Sequence, residues 1–398
     1  MDALTTPSNW QRVRLGDIAE IIGGGTPSTQ VASFWNGSIN WFTPTEIGIT
    51  KYVYKSQRTI TPLGLKKSSA KLLPIGTILL TSRASIGDCA ILKVVATTNQ
   101  GFQSLIPLEK INNEFLYYLI LTLKNKLLEL ASGSTFLEVS PNKIKNLLIP
   151  LPPLNEQIAI ANILSDMDHY LYSLDALILK KESVKKALSF ELLSQRKRLK
   201  DFNQNWQRVR LGDVAEIIGG GTPSTQVASF WNGSINWFTP TEIGITKYVY
   251  KSQRTITPLG LKKSSAKLLP IGTILLTSRT SIGDCAILKV VATTNQGFQS
   301  LIPLEKINNE FLYYLILTLK NKLLELASGS TFLEVSPNKI KNLLIPLPPL
   351  NEQIAIANIL SDMDHEIISL KNKKRQFDNI KKALNHDLMS AKIRVLEN

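Results

Sequence analysis

The chain is poor in the side chains that build disulfides and metal sites. It has two cysteines and three histidines in 398 residues. Cys89 and Cys285 hold the same position in two copies of one segment, so neither copy can form a disulfide of its own. Each is expected to be a small buried apolar residue. With no Cys/His cluster of zinc-site spacing, neither disulfides nor a structural zinc is predicted.

Long apolar runs are also missing. The longest, residues 115–123, is bounded by Glu114 and Lys124 and is far too short to span a bilayer. The first eight residues lack the basic-then-apolar pattern of a secretory signal. We therefore expect no membrane association and a cytoplasmic location.

No catalytic constellation stands out. The Gly23–Thr26 run (residues 23–26) is not followed by Gly-Lys-Ser/Thr and opens no Gly-x-Gly-x-x-Gly helix, so it is interpreted as a turn or a DNA-facing loop. Asp166 and Asp168 are expected on the solvated face of a helix. Pro152-Pro153 follows Leu151, so it lacks the Asn/Asp-Pro-Pro-aromatic signature of a methyltransferase. The chain is predicted to be non-catalytic.

What the chain does contain is a near-perfect repeat. Residues 9–169 recur as residues 205–365 with a constant offset of 196. Two positions differ, Ile18 against Val214 and Ala84 against Thr280. A repeat of this length is a duplicated domain rather than a solenoid unit. Two copies of one surface suggest a target with two equivalent halves.

The net charge of +15 favours a polyanionic partner, nucleic acid first and an anionic membrane second. Each repeat copy holds 15 basic and 11 acidic side chains. The segments that follow the copies, residues 170–204 and 366–398, each hold 8 basic and 4 acidic ones. These two tails carry as much excess charge as the much longer copies. They are expected to serve an acidic partner helix or nearby DNA.

Local patterns predict a mixed α+β domain followed by a long helix. Short strands are predicted at residues 39–42, 52–54, 77–81, 89–95 and 104–106, separated by turn residues. Residues 114–131 have the spacing of a helix. Residues 147–153 are held extended by prolines, and a second helix is predicted to begin near Asn155 as its N-cap.

The second helix has coiled-coil periodicity. From Ile160 to Ile178 apolar residues follow one another in steps of four and three, the pattern resumes at Leu188, and the second copy keeps the same phase. They are Ile160, Leu164, Met167, Leu171, Leu174, Ile178, Leu188 and Leu192, then Ile356, Leu360, Met363, Ile367, Leu370, Phe377, Leu384 and Leu388. From Asn155 to Lys200 the helix would be roughly 69 Å long at 1.5 Å per residue. His169 and His365 lie beside this seam and are expected to be solvated, and His386 is the remaining histidine.

If the second helix runs back along the first, the pair is antiparallel and the two domains are related by an approximate two-fold axis. The predicted fold is therefore α+β: two globular recognition domains separated by two long antiparallel coiled-coil helices, with pseudo-two-fold symmetry. The predicted boundaries are 1–150 for the first domain, 151–204 for the first spacer helix, 205–346 for the second domain and 347–398 for the second spacer helix.

Candidate DNA contacts combine aromatic, amide, hydroxyl and basic side chains. Arg addresses guanine and Asn or Gln adenine in the major groove, while Ser, Thr and Lys hold phosphates. The candidates of the first copy are Trp35, Trp41, Thr43, Lys51, Lys55, Arg58, Lys66, Lys67, Arg83, Ser85, Asn99 and Gln100. Those of the second copy are Trp231, Trp237, Thr239, Lys247, Lys251, Arg254, Lys262, Lys263, Arg279, Ser281, Asn295 and Gln296.

Four of these stretches carry a family resemblance. They are residues 35–45, 76–87, 99–102 and 149–158, the last reading Ile-Pro-Leu-Pro-Pro-Leu-Asn-Glu-Gln-Ile, with their copies at 231–241, 272–283, 295–298 and 345–354. Together with the order domain, helix, domain, helix, they resemble the specificity subunit of type I restriction–modification systems. The resemblance covers almost the whole chain. One departure is that members of this family usually carry two different recognition domains.

The resemblance implies a non-enzymatic reader of double-stranded DNA. Each recognition domain would bind half of a bipartite site, and the helices would set the spacing and dock two modification subunits. No cofactor is expected on this chain; S-adenosylmethionine, ATP and Mg would belong to the modification subunits and to restriction/translocase subunits. Two alternatives remain: a specificity subunit of an orphan or two-subunit methyltransferase without a nuclease, and a coiled-coil protein-binding scaffold.

Overall fold

The computed structural model describes residues 7–133, 137–329 and 333–395. The chain forms two compact units, Met1–Asp175 with Asn372–Asn398 and Ala176–Lys371. Each unit thus combines the whole of one repeat copy with most of the tail that follows the other copy. The predicted boundaries separated the helices from the domains, whereas the compact units include both.

The first copy consists of short strands and helices followed by one long helix. Its strands are β1 (Gln11–Arg14), β2 (Ala19–Gly23), β3 (Trp35–Phe42), β4 (Tyr52–Val53), β5 (Arg58–Ile60), β6 (Ile78–Leu80), β7 (Cys89–Leu92), β8 (Ala96–Thr98), β9 (Gln103–Pro107) and β10 (Leu148–Leu151). Its helices are α1 (Pro62–Lys66), α2 (Asn113–Thr122), α3 (Lys124–Leu130), α4 (Pro141–Lys145) and α5 (Leu154–Leu193).

The second copy repeats every element. Its strands are β11 (Gln207–Arg210), β12 (Ala215–Gly219), β13 (Trp231–Phe238), β14 (Tyr248–Val249), β15 (Arg254–Ile256), β16 (Ile274–Leu276), β17 (Cys285–Leu288), β18 (Ala292–Thr294), β19 (Gln299–Pro303) and β20 (Leu344–Leu347). Its helices are α6 (Pro258–Lys262), α7 (Asn309–Thr318), α8 (Lys320–Leu326), α9 (Pro337–Lys341) and α10 (Leu350–Met389). The predicted mixed α/β domains with long helices are confirmed.

Each domain contains three small sheets. In the first domain the strand orders are β2-β9-β6-β7-β4, β5-β3-β8 and β1-β10. Most neighbours are antiparallel, while β4 with β7 and β3 with β8 are parallel. The β1–β10 pair ties the start of the domain to the strand that leads into α5. The second domain has the same orders with its own strands.

The helix predicted over residues 114–131 is in fact two helices. Asn112 caps α2 by accepting a hydrogen bond from the N–H of Phe115 at 3.0 Å. At Leu123 the chain tightens, since its N–H donates to the carbonyl of Ile120, and α3 begins at the next residue. The tertiary structure favours this break, because Leu123 and Leu127 are both buried in the core.

The core of the first unit needs a segment from each of the two long helices. Ile160 and Leu164 of α5 pack with the sheet and α2, and Leu388 and Met389 from the end of α10 complete the same cluster. In the second unit Leu192 and Leu193 from the end of α5 take the equivalent places. A C-terminal segment therefore stabilises the N-terminal domain.

The long helix begins near the predicted residue, but its predicted N-cap and its predicted end at Lys200 were wrong. The helix starts at Leu154, not after an Asn155 cap, and the carbonyl of Pro153 accepts from the N–H groups of Glu156 and Gln157. It ends at Leu193, because the chain turns at Gln195, whose φ of 61° is left-handed. Among the described residues, no helix is long and apolar enough to cross a membrane.

Candidate nucleic-acid interface

Four loops of the first domain contact one another. We call the set formed by residues 24–26, 43–45, 82–85 and 99–101 the loop surface. The N–H of Gly25 donates to the carbonyl of Thr98 at 2.9 Å, and that of Ser82 to Gly101 at 2.8 Å. The Thr26 hydroxyl bonds the Gln100 side chain. Predicted contacts that are distant in the sequence are thus brought together.

The glycines in this surface are required by close packing. A Cβ on Gly24 would lie 1.9 Å from the carbonyl oxygen of Asn99, and one on Gly25 would lie 2.3 Å from the backbone nitrogen of Ala70. Both distances are sterically forbidden, so these positions need glycine. The glycine run therefore has a structural explanation that needs no bound phosphate.

Five of the predicted contact residues lie on the loop surface. Arg83, Ser85 and Gln100 are exposed, and Thr43 and Asn99 are half-buried. The Nε of Arg83 lies 3.0 Å from Oε2 of Glu138, which holds a guanidinium that is still 42% exposed. Ser85 has a φ of 53°, a left-handed conformation that strains a non-glycine residue. The loop thus presents an oriented Arg beside a strained Ser.

Trp35 and Trp41 were predicted to contact DNA, but the structure buries both. They are 8% and 4% exposed, and their rings meet edge to face with centroids 5.0 Å apart. Their indole N–H groups donate to the carbonyls of Ser28 at 3.0 Å and Gly25 at 2.8 Å. We therefore correct their assignment: the Trp41 indole binds Gly25 of the loop surface and the Trp35 ring packs against that of Trp41, and Trp231 and Trp237 make the same contacts in the second domain.

Lys51 was also predicted to contact DNA, but the structure places its side chain in contacts within the protein. Its side chain is 10% exposed and its Nζ lies 2.5 Å from Glu114, 2.9 Å from the Tyr118 hydroxyl and 3.1 Å from that of Ser165. It joins the domain to α5, as Lys247 does in the second copy.

The remaining predicted basic contacts are exposed, and Arg58 stacks on the Trp35 ring at 3.7 Å. They are Lys55, Arg58, Lys66 and Lys67, with Lys251, Arg254, Lys262 and Lys263 in the second copy.

Sequence reasoning missed the side chains that attach the helices to the domains. Glu156 is 2% exposed and accepts from the indole of Trp10 at 3.0 Å and from Nε of Arg394 at 2.8 Å. Gln157 donates to the carbonyls of Lys110 and Pro152 at 3.1 and 2.9 Å. The Glu-Gln pair that follows the prolines therefore fixes the direction in which α5 leaves the domain.

Asp168, predicted to be solvated, is a second attachment point. It accepts from the hydroxyl of Tyr118 at 2.5 Å and pairs with the ammonium of Lys381. Burial, followed by the hydrogen bond to Asp168, raises the pKa of Tyr118, so the phenol remains a donor. Glu156 and Asp168 of α5 pair with Arg394, which follows the end of α10, and with Lys381 of α10. Because the later residue of α5 pairs with the earlier residue of the second tail, the two helices run antiparallel within the first unit.

The second unit repeats both attachments with the roles of the tails exchanged. Glu352 of α10 accepts from Arg198 at 2.9 Å, and Asp364 pairs with Lys185 of α5. A signal for these residues was present in the sequence. Although the tails have diverged, Lys185 matches Lys381 and Arg198 matches Arg394 at the repeat offset.

The second domain presents the same loop surface. Ser278 donates to the carbonyl of Gly297 at 2.8 Å, and Arg279 lies 3.0 Å from Glu334. The predicted contacts Thr239, Arg279, Ser281, Asn295 and Gln296 have the same exposure as in the first domain. Each unit thus carries one such surface, attached to a two-helix support.

Comparison with known proteins agrees with this architecture. Residues 7–181 and 203–377 each match the family described as type I restriction modification DNA specificity domain. These matches cover most of the chain, so the chain belongs to this family. The predicted family is confirmed.

Relatives match the whole chain or part of it. The chain is 29% identical to the type I restriction enzyme MjaIX specificity subunit of Methanocaldococcus jannaschii, over 98% of this chain and 95% of that protein. It is 37% identical to the EcoR124I/EcoR124II specificity subunit of Escherichia coli over 39% of this chain and 40% of the relative. The crystal structure of the HsdS subunit from Thermoanaerobacter tengcongensis is 20% identical, with a TM-score of 0.57, and covers 99% of this chain and 100% of that one.

The protein is therefore a type I restriction–modification specificity subunit with two DNA-recognition domains. Its family consists of non-catalytic recognition subunits that work within a larger complex. The individual DNA-contacting side chains stay predictions.

Proposed function

We propose that the two domains read the same short sequence on opposite strands, so that the target is an interrupted palindrome. The observation that carries this proposal is the identity of the two loop surfaces: of the residues that form them, Ala84 and Thr280 alone differ. Identical readers favour identical half-sites. The antiparallel course of α5 and α10 within each unit supports the inverted orientation over a direct repeat.

On each loop surface, Arg83, Asn99 and Gln100, with Arg279, Asn295 and Gln296, are proposed to address base edges. Thr43, Ser85 and their copies Thr239 and Ser281 would hold phosphates or bases nearby. The exposed Lys55, Arg58, Lys66 and Lys67, with their copies, would neutralise the DNA backbone. Half-site centres about one helical turn apart, roughly 34–36 Å, would place both domains on one face of the duplex.

The long helices are proposed to set the half-site spacing and to dock two modification subunits. Those subunits would carry S-adenosylmethionine and methylate adenine, and restriction/translocase subunits would use ATP and Mg. Nothing in the loop surface calls for a cofactor on this chain, which we propose to act without one in the cytoplasm. In the basic first tail, Lys181 and Lys185 pair with residues of α10, whereas Lys180 and Lys186 are exposed and suit an acidic partner surface.

The test is co-expression with the neighbouring modification subunit and sequencing of methylated adenines in the host DNA. An inverted, interrupted repeat is expected. A direct repeat would contradict the inverted orientation, and a site with unlike halves would contradict equal reading by the two domains.

A variant pair separates base reading from backbone binding. Arg83→Ala with Arg279→Ala should cost about 1–3 kcal/mol per half-site and relax the choice of one base in each half. Lys66→Ala with Lys262→Ala should weaken binding to all sequences and flatten its salt dependence, while the methylated site stays the same.

A further inference from the structure

The two tails contain matching ends and unlike middles. The attaching residues Lys185 and Arg198 recur as Lys381 and Arg394. Between the domains and these residues lie the middle segments, residues 170–184 and 366–380, which agree at two positions, Ser173 with Ser369 and Leu174 with Leu370. The matching ends of the two tails would therefore fit either unit, whereas the unlike middle segments can distinguish one tail from the other.

In the first unit the middle segments meet through aromatic rings and one ion pair. The rings of Tyr170 and Phe377 have centroids 4.7 Å apart, and the ammonium of Lys373 lies 5.5 Å from the Tyr170 ring centre. Asp175 and Lys374 are 2.7 Å apart. Each of these contacts joins a residue of α5 to one of α10.

In the second unit the middle segments meet through two ion pairs. Lys181 lies 2.7 Å from Glu366, and Glu182 lies 2.6 Å from Lys371. The repeat offset makes Tyr170 equivalent to Glu366, and Phe377 equivalent to Lys181. The same structural position is therefore occupied by two rings in one unit and by two opposite charges in the other.

Pairing of two first tails in this register would lose these contacts. Tyr170 would face Lys181 of the second copy of the chain, and Asp175 would face Glu182, which places like charges together. Because an antiparallel pair of equal helices has two such sites, the repulsion between Asp175 and Glu182 would occur twice.

Pairing of two second tails would also be poor. Glu366 would face the apolar ring of Phe377, which desolvates a carboxylate without a partner. Lys371 would lie between Lys374 and Asp378, so that one attraction is offset by one repulsion. Both like pairings thus match less well than the pairing of a first with a second tail.

We infer that the middle segments select the partner helix, so that the first tail pairs with the second tail and not with another first tail. Nearly identical neighbouring domains are prone to misassembly, since each fits the contacts of the other. Unlike helix middles give such a chain the asymmetry that its domains lack, in the way that charged flanking positions set pairing in coiled coils. This inference does not depend on the DNA site.

Two full-length variants of unchanged net charge test it. The first carries Lys181→Glu and Glu182→Lys, and the second carries Glu366→Lys and Lys371→Glu. Each alone places like charges at both ion pairs of the second unit. If the two variants exchange their α5 tails, both pairs form again between the chains. The quadruple variant restores the pairs within one chain and is the control for folding.

The variants carry different affinity tags and are unfolded in urea, mixed and refolded. The two different variants are expected to co-purify at least a few-fold more than two copies of the same variant. The reason is that each restored ion pair changes the equilibrium constant for helix pairing by roughly a factor of two to five. The wild type and the quadruple variant should remain monomers by light scattering. If the different variants co-purify no more than identical ones, or if both singles keep the melting temperature of the wild type, the inference is overturned.

Discussion

At the scale of single residues, two substitutions separate the domains, and their positions give them unequal weight. Ile18 and Val214 are 2% and 1% exposed in the cores, where the exchange removes one methylene. Ala84 and Thr280 are exposed on the loop surfaces, between Arg83 and Ser85 or their copies. The second difference is therefore the one that can reach DNA.

Thr280→Ala should make the two loop surfaces equal in DNA affinity. If the loop surfaces read DNA as proposed, the added methyl and hydroxyl of Thr280 change the affinity of the second domain for the shared half-site by a factor of a few relative to the first domain. Comparing the DNA affinity of Arg83→Ala with that of Arg279→Ala, with and without Thr280→Ala, measures this difference, because each leaves one domain intact. Ala84→Thr is the matched control and should also make the two domains equal. Unchanged asymmetry in both variants would contradict the prediction.

Arg394→Ala tests the buried Glu156 carboxylate. The change leaves a 2% exposed charge with the Trp10 indole as its remaining donor, and the first unit should lose about 3 kcal/mol of stability. Urea unfolding measures the loss. Adding Glu156→Gln should recover part of it, since an amide costs less to bury than a charge. A larger loss in the double variant would refute this explanation.

At the scale of elements, prediction from sequence succeeded where the signal is local. The strands and the long helices follow from turn residues and apolar periodicity. The break at Leu123 and the end of α5 at Leu193 could not be predicted, because core packing and a left-handed Gln195 determine them. Trp41 and Lys51 were assigned to DNA because their residue types suit both DNA and packing, and tertiary contacts decide between the two.

Helix α2 carries buried tyrosines that make the stability of the fold depend on alkaline pH. Burial raises the pKa of Tyr117 and Tyr118 and of the nearby Tyr52, and the same holds for Tyr313, Tyr314 and Tyr248. In unfolded chains tyrosine titrates near about pH 10. Because the pKa is higher in the folded state, their contribution to stability is complete below that pH and is lost as the pH rises above it.

These six phenols should therefore ionise over the same pH range in which the protein unfolds. Phenolate absorbance and far-ultraviolet circular dichroism, followed in one alkaline titration, provide the measurement. Complete ionisation of all ten tyrosines while the helical signal persists would show that the six phenols are not buried as described.

At the scale of the whole molecule, each domain depends on the long helix that follows the other domain. Leu388 and Leu192 are both 1% exposed; Leu388, near the end of α10, completes the core of the first domain, and Leu192, near the end of α5, completes that of the second. A substitution at the end of either helix should therefore destabilise the domain that this helix does not follow.

Leu388→Ala should destabilise the first domain by about 2–5 kcal/mol, and Leu192→Ala should do the same to the second. Hydrogen exchange read by mass spectrometry can tell the domains apart, since peptides that contain Ala84 differ in mass from those that contain Thr280. Faster exchange in the Ala84 peptides is expected for Leu388→Ala, and in the Thr280 peptides for Leu192→Ala. Faster exchange in the opposite domain, or equal changes in both domains, would contradict the conclusion that each core is completed by the helix that follows the other domain.

The exchange of tails gives the polypeptide the connectivity of a ring. The end of α5 completes the second unit, the end of α10 completes the first, and Arg394 reaches Asn9 with a hydrogen bond of 3.2 Å. In the second unit the equivalent positions, 198 and 205, are joined by the chain itself. A circular permutant opened between them, with residues 9 and 394 joined by a short linker, should fold to the same two units. The fold thus has two equivalent places at which a backbone connection can be made or opened, between residues 198 and 205 and between residues 394 and 9.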